Sequence, residues 1–150
     1  MSPRQQQRGP RRRPGAREKG VTTVEMALVL PVFFLMLFGI IELANILRLQ
    51  LQLESAVSEA SRYAALVETS TAQAKDSVAN LLAAITQNNP EAQTPDFTMT
   101  PSTTTSCKET PCDPITVHIS YVYHAITPLM EPFFDGLTLS ASAKRISEPW

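Results

Sequence analysis

The chain has 150 residues, of which 43% are hydrophobic, and a formal net charge of −1, so it is long enough for one small domain beside an anchor. The charge is unevenly divided: residues 1–20 hold seven bases and one acid, whereas residues 21–150 hold six bases and thirteen acids. Because the larger part is acidic, it offers no electrostatic footprint for nucleic acid, and we exclude nucleic acid as a partner.

Residues 1–20 form a basic leader. The leader is rich in Arg, Pro, Gln and Gly and has too few apolar side chains to bury a core, so we expect it to be disordered. Basic residues beside a membrane segment remain in the cytoplasm by the positive-inside rule. The leader is therefore predicted to be cytoplasmic and residues 42–150 to be exported.

Residues 21–41 are the predicted transmembrane helix. As a helix they span roughly 30 Å, the thickness of the hydrocarbon core of a bilayer. No charged or amide side chain occurs from Met26 to Ile41, and no Ala-x-Ala site for a secretory signal peptidase follows. The segment should remain attached as an anchor, and Pro31 should kink it by removing a backbone hydrogen bond.

Glu25 is an acid inside this apolar run, which makes it a functional candidate. An ionised side chain in the middle of a bilayer costs about 2 to 3 kcal/mol unless it has a partner. Cleavage between Gly20 and Val21 would create a new α-amine about one helical turn from Glu25. An ion pair of this amine with Glu25, in the same subunit or a neighbouring one, would offset the cost for both groups.

Three features carry a family resemblance: Lys19-Gly20, the acid at Glu25 and the segment from Val24 to Pro31. In these features the chain resembles the TadE-type minor pilins, or pseudopilins, of tight-adherence (Flp) pili. The resemblance covers about Gly20 to Leu66. It implies cleavage after Gly20 by a prepilin peptidase, a membrane aspartic peptidase. The implied partners are that peptidase, other pilins and pseudopilins, and the Tad pilus assembly and secretion machinery.

The same resemblance implies a role in pilus assembly, cell adhesion and biofilm formation. The implied location is the inner (cytoplasmic) membrane, with a single pass, and the cell surface for any protein in a pilus. Two departures from related pilins bear on this role. Val21 replaces the Phe common in ordinary type IV pilins, so N-methylation is not implied. Residues 21–150 are also much longer than a major Flp pilin, which favours a minor component.

The exported part is predicted to be α+β. Apolar residues at helical spacing continue the first helix to about Val67, with Glu42 at the outer membrane boundary, where its carboxylate is expected to reach water. A second helix is then ended by Gln87 to Pro90, and period-two alternation predicts a small three-stranded antiparallel sheet. The predicted bounds are 72–86 for the helix and 96–100, 115–125 and 137–146 for the strands.

Cys107 and Cys112 lie in the exported part, where an oxidising environment favours a disulfide between them. A metal site from these cysteines with His118 and His124 is not expected, because the two histidines would stand roughly 20 Å apart on one strand. No nucleophile elbow or phosphate-binding loop is present, so we predict neither catalysis nor a cofactor. The connections 101–114 and 127–136 are candidate contact surfaces.

Two alternatives remain open at this stage. The first is an unprocessed, single-pass scaffold of an envelope or secretion complex, in which Gly20 could be replaced without consequence. The second is an exported hydrolase with an N-terminal anchor, which would require a convergent acid, base and nucleophile.

Overall fold

The computed structural model describes residues 18–87, 93–105, 107 and 112–147, with side chains from Thr22 onward. The chain divides into two compact units, Met1–Met36 and Leu37–Trp150. Most of the predicted leader lies outside the described residues, as do Asn88 to Pro90 of the predicted helix stop.

Helix α1 (Glu18–Leu66) is the longest element and contains Pro31. Leu, Ala, Met, Glu and Gln, which are strong helix formers, dominate its sequence. In the first unit every described side chain is exposed. By length and composition, one helix in the described part of the chain is apolar enough to cross a membrane, over Thr22–Leu66.

The core of the second unit lies between α1 and a three-stranded sheet. The sheet contains β2 (Asp96–Thr100), β4 (Pro114–Tyr123) and β5 (Leu137–Ile146), all antiparallel, with β4 in the centre. Buried helix residues recur every three or four positions, and buried strand residues alternate, as each period requires. The main buried residues are Leu49, Leu53, Ala56, Val57, Ala60, Phe97, Met99, Ile115, Val117, Ile119, Tyr121, Tyr123, Leu139 and Ala141. The predicted α+β class is confirmed.

The segment predicted as one helix over 72–86 forms two helices, α2 (Thr71–Ser77) and α3 (Ala79–Gln87). Helix α2 begins with a capping box, in which Ser70 and Gln73 each bond the backbone of the other. Val78 separates the two helices, and its N–H bonds to the carbonyl of Lys75 at 3.2 Å. This bond reaches the third residue back, whereas an α-helical bond reaches the fourth. The Val78 side chain is buried in the core.

Three short elements were not predicted. Strand β1 (Thr69–Ser70) pairs with β3 (Thr103–Thr104) in a second, two-stranded antiparallel sheet. Helix α4 (Glu131–Phe134) lies in the connection between β4 and β5. Elements of two to four residues are too short to carry a period of hydrophobicity, which explains why the pattern did not indicate them.

Candidate functional site

The predicted cleavage bond between Gly20 and Val21 lies in α1, three residues into the described part of the chain. The structure leaves the cleavage itself as a prediction.

Glu25 lies four residues after Val21 on the same helix, and its side chain is exposed. Residues at this spacing have Cβ atoms about 5 to 6 Å apart on one helix face. Among the residues that the structure describes, no side chain forms a hydrogen bond or ion pair with Glu25. The helix therefore keeps Val21 and Glu25 on one face, and Glu25 has no competing partner in the described region.

Glu42 lies in a different environment from the one that the sequence predicted. Its side chain is 0% exposed, so the expectation that it reaches water is wrong. One carboxylate oxygen, Oε1, accepts hydrogen bonds from the Tyr123 hydroxyl at 2.6 Å and the Ile126 backbone N–H at 2.8 Å. The other, Oε2, accepts from the Thr127 hydroxyl at 3.1 Å. Glu42 thereby ties the end of β4 and the residues after it to α1.

Hydrogen bonds, not an ion pair, stabilise this carboxylate. Within the described ranges no Lys or Arg forms a salt bridge with Glu42. Burying a carboxylate costs several kcal/mol unless its oxygens are satisfied, and hydrogen bonds to an ionised acceptor are about twice as strong as neutral ones. Three donors from the chain supply this compensation.

Tyr123 is the central donor of the cluster. Its hydroxyl also accepts a hydrogen bond from Asn45 Nδ2 at 3.1 Å. Burial, followed by the hydrogen bond to Glu42, raises the pKa of Tyr123 from 10.0 to about 12. The hydroxyl consequently keeps the proton that it donates to Glu42 at a pH where an ordinary tyrosine loses its own.

A sequence signal for this cluster existed. Glu42 precedes Leu49 and Leu53 at spacings of seven and eleven residues, which places it on the buried stripe of α1. Tyr123 is the last of the alternating apolar residues of β4, so its hydroxyl enters the core and needs a partner. A buried acid and a buried phenol at the same end of the core are natural partners.

The cysteine prediction is confirmed, since Cys107 and Cys112 form a disulfide with Cα atoms 5.7 Å apart. His118 lies on β4, and His124 Nδ1 is 3.0 Å from Asp135 Oδ1. In the described part of the chain, no group of three or more His, Cys, Asp or Glu residues is placed to hold a metal ion.

Comparison with known proteins found one family match, which lies on the first helix. Residues 20–62 match the family model described as TadE-like protein. The comparison with curated proteins and the comparison with solved structures each gave no match. The matched range begins at Gly20, before the predicted cleavage point, and ends four residues before the end of α1. The resemblance to the TadE-like family is thus confirmed over residues 20–62.

Proposed function

We propose that this chain is a TadE-type minor pilin or pseudopilin that a prepilin peptidase cuts after Gly20. Its mature helix takes part in the assembly of a Tad pilus, and through the pilus in adhesion and biofilm formation. The observation that carries the proposal is the TadE-like match over residues 20–62, which supports association with the Tad pilus machinery in general. The TadE-like family is non-enzymatic in general, and we propose the same for this chain.

Membrane insertion is supported by charge and by exposure. The seven bases before Val21 favour a cytoplasmic N-terminus. The side chains from Thr22 to Met36 are exposed, although most of them are apolar. An apolar helix without a covering layer is unstable in water and stable in a bilayer, since lipid provides the missing apolar contact.

Packing of α1 against other pilins is supported by a stripe of exposed leucines beyond the predicted span. Leu43, Leu47 and Leu51 are 50%, 65% and 66% exposed, although Leu49 and Leu53 on the same stretch are buried. Leucines at spacings of four residues lie on one helix face. Fully burying one such side chain is worth about 1.5 to 3 kcal/mol. This leucine stripe is a suitable surface for a neighbouring helix.

The cleavage step is tested by the intact mass of protein extracted from membranes of cells that contain the peptidase. We expect a chain that begins at Val21. A Gly20→Phe variant should begin at Met1, because the side chain blocks access to the backbone, whereas the matched leader variant Gly15→Phe should be cut normally. A wild-type chain that retains Met1 would support the unprocessed scaffold instead.

The assembly step is tested by Glu25→Ala, with Glu59→Ala as the matched control, since Glu59 is an exposed acid of the same helix beyond the predicted span. We expect both variants to be exported normally and only Glu25→Ala to give few pili. The measurement compares tagged protein in the sheared pilus fraction with that in membranes. Normal piliation by Glu25→Ala would exclude the ion pair with the Val21 amine.

A further inference from the structure

The connection between β4 and β5, residues 124–136, is attached to α1 at one definite level. Glu42 binds the backbone N–H of Ile126 and the hydroxyl of Thr127. Glu42 directly follows Ile41, the last residue of the apolar run. Since a helix rises 1.5 Å per residue, the apolar turn Leu37–Ile41 lies within about 8 Å of this attachment along the helix axis.

The connection has both buried and exposed apolar side chains. Met130 is 1% exposed and Phe134 packs against the core. By contrast, Ile126, Leu129 and Phe133 are 53%, 51% and 69% exposed. Three large apolar side chains are thus exposed within eight residues of one connection, which makes this group, called the loop patch below, a candidate binding surface.

A bilayer surface fits this patch better than water does. The neighbouring turn of α1 exposes Ile40 and Ile41, so apolar surface is present on the helix at the same level. The carboxylate of Glu42, the acid nearest this level on α1, is buried and fully bonded within the chain and needs no water. Glu131 and Asp135 are also exposed in this connection, and we expect their carboxylates to stay on the aqueous side of the headgroups.

We propose that the connection 124–136 is a membrane-contact loop, whose Ile126, Leu129 and Phe133 enter the headgroup and acyl boundary of the outer leaflet. The inference rests on the proposed transmembrane span of α1. It adds a second attachment between the exported domain and the bilayer, beside the helix. It also gives Glu42 a role, because this residue holds the loop at the level of the membrane surface.

The test measures tryptophan fluorescence of the full chain in phosphatidylethanolamine and phosphatidylglycerol vesicles that carry brominated acyl chains. The only tryptophan, Trp150, is first replaced by Phe. Single tryptophans are then introduced as Phe133→Trp and Ile126→Trp in the loop, Phe33→Trp in the span and Leu81→Trp on α3 as the exported control. Circular dichroism selects the variants that keep the native secondary structure.

We expect bromine near the headgroups to lower the emission of either loop variant about twofold, as for a side chain in the interfacial layer. Leu81→Trp should be unaffected, and Phe33→Trp should be quenched by bromine near the bilayer centre. Loop tryptophans as unaffected as Leu81→Trp, with Phe33→Trp still quenched, would overturn the membrane-contact loop and leave the span intact. An unquenched Phe33→Trp would overturn the span itself. Loop emission that depends on protein density and not on bromine would assign the patch to a partner subunit and overturn the lipid proposal.

Discussion

The hydrogen bonds of Glu42 make a sharp prediction about two substitutions of nearly equal volume. Glu42→Leu keeps the bulk of the side chain but removes both acceptor oxygens. Glu42→Gln removes the charge but keeps one carbonyl oxygen for the Tyr123 hydroxyl and the Ile126 N–H. Its amide nitrogen is able to donate to the Thr127 hydroxyl oxygen, which accepts once its proton rotates away.

The expected losses of free energy follow from the hydrogen-bond donors that each substitution leaves without an acceptor. In Glu42→Leu, the buried Tyr123 hydroxyl loses its acceptor, which costs about 1 to 3 kcal/mol. The part-buried Ile126 N–H also loses its acceptor, at the lower end of that range, about 1 kcal/mol. The half-buried Thr127 hydroxyl turns to water. We therefore expect a loss of about 2 to 4 kcal/mol in the free energy that holds the connection on α1. For Glu42→Gln we expect about 1 kcal/mol, because the bonds persist without a charged acceptor.

Hydrogen exchange by mass spectrometry on the full chain in lipid nanodiscs measures this free energy locally, in the peptide that contains Ile126. Since 1.4 kcal/mol corresponds to a factor of ten, Glu42→Leu should raise the exchange rate about 30-fold or more, and Glu42→Gln by less than about tenfold. Glu54→Leu is the matched control, because Glu54 is an exposed acid on the same helix, and it should leave this peptide unchanged.

Either of two results would refute the reasoning. Slow, native exchange at Ile126 in Glu42→Leu would mean that the acceptor oxygens do not hold the connection. An equal rise in the exchange rate at Ile126 in Glu42→Gln and Glu42→Leu would mean that the charge of Glu42 holds the connection and that the number of acceptor oxygens does not.

Three further predictions concern stability. Because the pKa of Tyr123 is raised from 10.0 to about 12 in the folded chain, its stabilising effect is complete below pH 10 and is lost as the pH rises through 12. This loss amounts to roughly 2 to 3 kcal/mol; thermal melts across this range should show a shallower alkaline decline for Tyr123→Phe. Gly136 has φ of +78° and open space around an added Cβ, so Gly136→Ala should lower the free energy of unfolding by about 1 to 2 kcal/mol through backbone strain alone. Gly136→Asn should lower it less, and chemical denaturation measures both. Ser70→Ala should remove the capping box and lower the stability of α2 by about 1 kcal/mol. The measurement is amide exchange, which should be faster at Gln73 and unchanged in the three-stranded sheet.

The sheet was predictable from sequence because its information is local. Phe97 and Met99, and the alternating residues of β4, place apolar side chains on one face at a period of two, and the observed register pairs Met99 with Val117 and Ile119 with Ala141. The long first helix was predictable for the same reason, since its apolar positions keep a helical period over many turns.

The missed features depend on contacts between distant residues. Val78 is buried in the core and lies at the break between α2 and α3, where its N–H bonds to the carbonyl of Lys75, and no local propensity encodes this break. Glu42 was assigned to water because acids are almost never fully buried without a partner. The spacing of Glu42 from Leu49 and Leu53 indicates burial, but its partners lie more than 80 residues away in the chain, so only the tertiary structure identifies them.

Glu25 and Glu42, two of the acids on α1, show how the same physical problem is solved in two ways. Glu42 is removed from water and obtains three donors from its own chain, so its substitution should damage the folded subunit before any assembly. Glu25 has an exposed side chain and no bonded partner among the described residues. The proposed span nevertheless places it in the hydrocarbon region of the bilayer, where an acid needs a partner. That partner is then a product of processing or of a neighbouring subunit. Substitution of Glu25 should leave the isolated subunit as stable as the wild type and impair only assembly, and a comparison of melting and piliation for the two acids separates these solutions.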